Sequence, residues 1–184
     1  MQQLIGKILL ISGIIFFLSA CVSGSSTNST DFDRRQAAKA RVELGLGYLN
    51  QGDTALAKLN LDKALSYAPD YYLVHSALAY FYQRQGDTQR AQEAYLSAIK
   101  ADSQQGDVLN NYGAFLCAQG EYSQAYQQFR QALDTPNYYN QADTYENMAL
   151  CASAEKNTAL YRQYLDLLSK QAPERARALA KIAE

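Results

Sequence analysis

The chain has 184 residues, enough for one domain with a short leading segment, and its 48% hydrophobic content is that of a folded chain. A formal net charge of −1 with no Lys/Arg cluster argues against nucleic acid as a partner, because binding phosphates needs a basic face. Fifteen tyrosines and no tryptophan leave two roles open for the rings: protein contacts, where the ring buries area and the hydroxyl stays wet, or interior packing.

The first stretch stands apart from the rest. Lys7 is the only charge before Asp31, and Ile8 to Leu18 is apolar except for Ser12 and Gly13. A run of this length is too short to cross a bilayer as a helix, which takes about 20 residues, and fits the apolar part of a secretory signal. Leu18-Ser19-Ala20-Cys21 follows. This closely resembles the bacterial lipobox, in which the signal is cut before a cysteine that becomes acylated; the alternative is an uncleaved anchor with an incidental cysteine. The resemblance implies a signal peptide over residues 1–20 and acyl chains on Cys21, which hold a protein to a membrane stably when there is more than one. Lipoproteins of Gram-negative bacteria that stay in the inner membrane carry Asp where this chain has Val22. The implied location is therefore the outer membrane, facing the periplasm. Ser23 to Thr30 reads SGSSTNST, so residues 21–34 are expected to form a flexible tether.

Beyond it, Gly52, Gly86 and Gly120 lie 34 residues apart. So do Ala57, Ala91 and Ala125; Ala64, Ala98 and Ala132; and Gly45, Ala79 and Gly113. This period, with its alternation of small and large residues, resembles the tetratricopeptide repeat, a helix–turn–helix unit that stacks on its neighbours. The expected fold is all-α: a superhelical solenoid of about four repeats plus a C-terminal capping helix. Repeats are placed at 38–71, 72–105 and 106–139, each with a helix A and a helix B. The turn glycine suits the left-handed position that ends helix A. Asp53 and Asp87 then stand where helix B wants an N-cap, with Glu121 a weaker substitute. Small residues of helix A should face Ala57, Ala91 and Ala125, with Leu44, Tyr112, Leu61, Tyr95 and Phe129 among the large residues filling the spaces around them.

A fourth repeat, 142–175, fits after a two-residue insertion. Ala149 takes the small position of helix A, Tyr161 stands at the small position of helix B, Lys156-Asn157 replaces the turn glycine, and Pro173 closes the unit. Terminal repeats are often atypical. Residues 173–184 read as the capping helix, of which 176–184 lie beyond the repeat. Cys117 and Cys151 are also 34 residues apart, each near the end of a helix A. Successive A helices pack side by side, and an oxidising compartment preserves disulfides, so a bond tying repeat three to repeat four is expected; two buried free thiols are the alternative. His75 is the only histidine, so neither a zinc site nor a histidine-based nucleophile has its ligands or partners. No phosphate loop, nucleophile elbow or metal motif is present, and no catalytic residue, cofactor or small-molecule substrate is expected. His75 reads as a packing residue.

The expected working surface is the concave face of the A helices, with Val42, Leu46 and Leu49 from repeat one, Leu73, Tyr80 and Arg84 from repeat two, and Asn110, Asn111 and Ala114 from repeat three. Its first two sets are mostly apolar, as a protein-contact patch would be; alternatively Phe32 to Lys39 cover it. Too few cations stand there to capture a C-terminal carboxylate, so an apolar strand or helix segment is the expected ligand.

Leu-Asn-Asn-Tyr-Gly-Ala-Phe-Leu-Cys at 109–117 and Glu-Asn-Met-Ala-Leu-Cys at 146–151, together with the lipobox and the repeats, resemble the type IV pilus biogenesis and stability lipoproteins of the PilF/PilW family. That resemblance covers about Arg35 to Pro173. It implies an outer-membrane pilotin that brings secretin subunits to the outer membrane and supports their assembly into a ring, with Cys21 as the lipid site and Cys117–Cys151 as the family's disulfide. Two rivals remain: an adaptor for cell-wall hydrolases or for β-barrel assembly, and a cell-wall hydrolase using His75.

Overall fold

The computed structural model describes residues 26–182, and the regular structure among them is helical. Cys21, the proposed signal peptide and the start of the tether lie outside the described residues. Two compact units divide the chain, residues 1–33 and 34–184. Of the first, only the opening turns of α1 are described. The helices are α1 (Ser26–Asn50), α2 (Thr54–Tyr67), α3 (Tyr72–Arg84), α4 (Thr88–Ala101), α5 (Gly106–Ala118), α6 (Tyr122–Leu133), α7 (Gln141–Ala154), α8 (Thr158–Gln171) and α9 (Pro173–Ile182). Odd-numbered helices up to α7 are the A helices, even-numbered ones the B helices.

The tether expected up to residue 34 is shorter, because α1 already begins at Ser26. Residues 26–34 contain neither Gly nor Pro, so nothing in them breaks the helical path. Phe32 to Lys39, weighed as a cover for the binding face, are turns of α1 itself, and Phe32 is exposed. Arg34 Nε donates to the Tyr67 carbonyl at 3.0 Å, and the Arg35 guanidinium lies 5.6 Å from the centre of the Tyr71 ring. Both contacts fasten α1 to the α2–α3 connection.

Each of the first three A helices ends in the same closure. Gly52, Gly86 and Gly120 take φ of 82°, 73° and 82°. The following N–H then reaches back five residues: Asp53 to the Tyr48 carbonyl at 2.9 Å, Asp87 to Tyr82 at 3.0 Å, Glu121 to Leu116 at 2.9 Å. This closure needs a left-handed residue, which glycine provides without a Cβ penalty. The same following residue opens helix B. Asp53 accepts from the Leu56 N–H at 2.9 Å and Asp87 from the Arg90 N–H at 3.0 Å, whereas Glu121 makes no such bond. The Arg90 amide, and then its guanidinium, hold the Asp87 carboxyl below the usual carboxylate range.

Between helices A and B the backbones come close. A Cβ on Gly113 would stand 2.7 Å from the Phe129 ring and 3.1 Å from the Ala125 carbonyl; one on Gly45 would stand 3.0 Å from Leu61 and 3.2 Å from the Ala57 carbonyl. Ala57, Ala91, Ala125, Ala64, Ala98, Ala132 and Ala79 are all fully buried. Leu44 departs from expectation, being 44% exposed. Its counterpart Tyr112 lies against Tyr95 of the preceding repeat, ring centres 5.4 Å apart, and no described helix precedes α1.

The two-residue insertion falls between α6 and α7, where Asn137 takes φ 60° and Tyr138 turns inward. The Tyr138 ring occupies the space a side chain on Gly106 would need, and its hydroxyl lies 2.8 Å from Thr144 Oγ1. Repeat four keeps the closure with a different residue. Lys156 adopts φ 61°, the Asn157 N–H reaches the Ala152 carbonyl at 2.8 Å, and Asn157 Oδ1 accepts from the Leu160 N–H at 3.2 Å. Cys117 and Cys151 are disulfide-bonded with Cα atoms 5.7 Å apart, joining the ends of α5 and α7. Finally α9 packs on α8 through Ala176 and Leu179, and Arg175 clamps it to Asp143 and Glu146 of α7.

Candidate protein-binding groove

The A helices lie side by side and leave a concavity of about 510 Å³. Leu46 enters from α1; Tyr72, Leu73, Ser76, Ala77, Tyr80 and Gln83 from α3; Gln105, Asp107, Val108, Asn111 and Ala114 from α5 and its start; Asn147 from α7; and Tyr95 from α4. Placed on the 34-residue register, with the insertion allowed for, these side chains repeat. Leu73 and Asp107 share one position, Ala77, Asn111 and Asn147 another, Leu46, Tyr80 and Ala114 a third. The groove is therefore a face built by translation of the repeat, apolar at α1 and α3 and increasingly polar at α5 and α7.

Of the expected lining residues, Leu46, Leu73, Tyr80, Asn111 and Ala114 are brought together there. Arg84 is exposed beside them, its Nη1 donating to the Tyr80 hydroxyl at 3.1 Å. Three expectations are corrected. Val42 and Leu49 are 2% and 3% exposed and belong to the core. With Ala38 and Gly45 they form the stripe that brings α1 onto its neighbours, spaced as one face of a helix. Asn110 is 5% exposed, and its Oδ1 accepts from Asn147 Nδ2 at 3.1 Å, so it ties α5 to α7 from within. Tyr72, Ser76, Ala77, Gln83, Tyr95, Gln105, Asp107, Val108 and Asn147 were missed. A signal was available for three of them: holding the register of Leu73 finds Asp107, and that of Asn111 finds Ala77 and Asn147, whereas Ser76 and Gln83 share their registers with the core residues Val42 and Leu49.

Burial pushes the Tyr72 hydroxyl upward, with Tyr71 and the carboxylates of Asp102 and Asp107 adding to it. Burial also raises Tyr95, which donates to Gln83 Oε1 at 2.9 Å and sets that amide at the groove floor. Asp107 Oδ1 accepts from Asn140 Nδ2 at 2.7 Å. Such a lining offers amides to a polypeptide backbone and Leu46, Leu73 and Val108 to apolar side chains. His75 is outside it, with Nε2 2.6 Å from the Pro69 carbonyl, a bond that holds the α2–α3 connection. Among the described residues no helix is long and apolar enough to cross a membrane.

The tetratricopeptide-repeat family profile matches residues 38–71 and 74–105, the first two helix pairs of this all-helical fold. The chain is a tetratricopeptide-repeat protein. It is 50% identical over 161 residues to an uncharacterised protein of Haemophilus influenzae, covering 88% of each chain. It is 37% identical over 151 residues to the type IV pilus assembly protein PilF of Pseudomonas aeruginosa, covering 81% of this chain and 60% of PilF. The solved structure of Pseudomonas aeruginosa PilF superposes with a TM-score of 0.72 at 35% identity, covering 77% of this chain and 64% of that one. PilW, described as a widely conserved type IV pilus biogenesis factor, shares the fold, with a TM-score of 0.71 at 24% identity over 79% of this chain and 71% of that one. This tetratricopeptide-repeat protein is thus homologous to PilF, and it spans somewhat under two thirds of PilF's length.

Proposed function

We propose that this tetratricopeptide-repeat protein is a lipid-anchored pilotin: a scaffold for type IV pilus biogenesis that brings secretin subunits to the outer membrane and favours their assembly. The observation that carries this reading is the 37% identity to PilF over four-fifths of the chain, from a stretch that includes the groove-forming A helices. The protein acts by binding and not by bond chemistry, in keeping with a groove lined by amides, tyrosines and leucines. Acyl chains on Cys21 supply the hydrophobic free energy for membrane residence. Tethering then raises the local concentration of subunits at the periplasmic surface of the outer membrane, which favours a multimer without any new contact.

The test is an immunoblot of the pilus secretin in separated membranes, with the gene present, deleted, or carrying Cys21→Ser. Loss of secretin multimers, or monomers stalled in the inner membrane, is expected on deletion, and a similar defect for Cys21→Ser. Multimers that reach the outer membrane unchanged in the deletion strain would refute secretin delivery.

A further inference from the structure

Lys156, Arg162, Lys170, Arg175, Arg177 and Lys181 face only Asp166 and Glu174 within the same stretch, in a chain whose net charge is −1. Three of these cations are engaged. Lys170 pairs with Asp166 at 2.7 Å, Arg177 with Glu174, and Arg175 with the two carboxylates of α7. Lys156, Arg162 and Lys181 form no ion pair among the described residues. The fold gathers cations that no contiguous run in the sequence announces.

Three of the six, Lys156, Arg162 and Arg177, line two adjoining concavities of about 440 and 410 Å³ on α8, α9 and the end of α7, which share Arg162, Leu165 and Ala180. Leu165, Ala176 and Ala180 supply apolar lining and Ser153, Asn157 and Thr158 polar lining. Arg162 and Arg177 stand with Asp166, itself paired to Lys170, and Lys156 lies at the α7–α8 turn, so cations outnumber carboxylates around the channel. A lipid surface takes up apolar side chains that protrude; here Ala176 is buried and Leu165 and Ala180 are half-buried, so none protrudes. A helix enters such a channel, because its side-chain ridge packs into the groove between two helices. Cations on the rim select the charge of the helix that fits.

We propose that the α8–α9 channel docks an amphipathic helix of another protein, one with an apolar stripe flanked by acidic residues. This surface uses none of the A-helix groove residues, so it stands whether or not the secretin reading does. Two labelled helical peptides test it by fluorescence anisotropy against the full chain in detergent. Both carry one leucine stripe; one has glutamates on its flanks, the other lysines. The glutamate peptide is expected to bind and the lysine peptide not. Arg162→Glu with Arg177→Glu should weaken the glutamate peptide about tenfold or more and admit the lysine peptide, an inversion that only opposed charges produce. Both arginines are exposed, and circular dichroism of the variant should match the parent. Binding of neither peptide, equal binding of both, or an unchanged preference in the variant would overturn the proposal. So would uptake by phosphatidylglycerol vesicles with no peptide binding. Loss of the glutamate peptide on Tyr80→Ala, with the arginine reversal silent, would move the site to the A-helix groove and overturn it as well.

Discussion

In repeat three the small position of helix B is Ala125, fully buried beneath Gly113; in repeat four it is Tyr161, half-buried, with its hydroxyl donating to the Leu179 carbonyl at 3.4 Å. The turn differs too, since Gly120 and Lys156 hold the same left-handed position. Yet both repeats make the same five-residue back-bond, from Glu121 and from Asn157. The comparison separates two things a repeat needs. Backbone closure survives the loss of its preferred residue at a modest cost, because the hydrogen bonds remain available. The small position of helix B is not kept, yet α7 and α8 stay packed with Ala149 fully buried. Tyr161 turns its hydroxyl to α9, and repeat four has ties beyond its own helix pair in the disulfide, the α9 helix and the Arg175 clamp.

The largest way to break this comparison is to remove the disulfide. Cys117→Ser with Cys151→Ser should lower the unfolding free energy by about 2–4 kcal/mol in the chain-entropy account. Hydrogen exchange should then rise in α7–α9 more than in α3–α4; an even rise across all helices would show that repeat four depends on the bond no more than the others do. Next comes the small position itself. Ala125→Leu overpacks the contact with Gly113 and Phe129 and should cost about 1–3 kcal/mol, whereas Tyr161→Leu should cost less than about 1.5. Thermal melts of the two variants decide the order, and equal melting would mean the repeat register is wrong.

Tyr138 marks the junction between the two repeats. Tyr138→Phe leaves the buried Thr144 hydroxyl without this partner, at about 1–2 kcal/mol. Burial, helped by the Asp107 and Asp143 carboxylates and opposed by the bond to Thr144, pushes the Tyr138 hydroxyl up to about 12, from an ordinary value of about 10. A raised folded-state value means its contribution is whole below about pH 10 and is lost as pH rises towards about 12. Tyr95 and Tyr126 are raised by burial as well, so the readout is the difference between the parent and Tyr138→Phe stability curves across that window. Converging curves support the assignment; parallel ones oppose it. The smallest expected effect is at the turn. Lys156→Gly should stabilise repeat four by about 1 kcal/mol, and Gly120→Ala should destabilise repeat three by a similar amount, both measured by denaturant midpoint.

Much of the fold was legible because a repeat writes the same physical demand several times. Gly52, Gly86 and Gly120 each answer one backbone conformation, and the alanine sets each answer one close approach, so spacing alone reveals them. The groove was legible in part. Leu46, Leu73 and Tyr80 were found as apolar residues of helix A, while Val42 and Leu49 were misplaced because apolarity does not tell a core stripe from a neighbouring stripe about one residue's rotation away. Asn110 was taken for a surface amide because its burial depends on Asn147, whose register the insertion obscures. The basic rim of α8 and α9 was legible only as a stretch in which cations outnumber carboxylates; that Arg175 is taken up by α7 while Arg162 lines the channel is supplied by folding.

Composition and the 34-residue period determined by themselves that this chain folds into helical pairs, where those pairs turn, and which small residues lie between them, because each of these is fixed by local backbone geometry or by a contact inside one repeat. The tertiary structure alone decided which apolar residues of α1 are core and which are groove, how a tyrosine is accommodated in repeat four, and where uncompensated charge collects. Those outcomes depend on what the next helix covers, and a residue's own sequence neighbourhood does not contain that information.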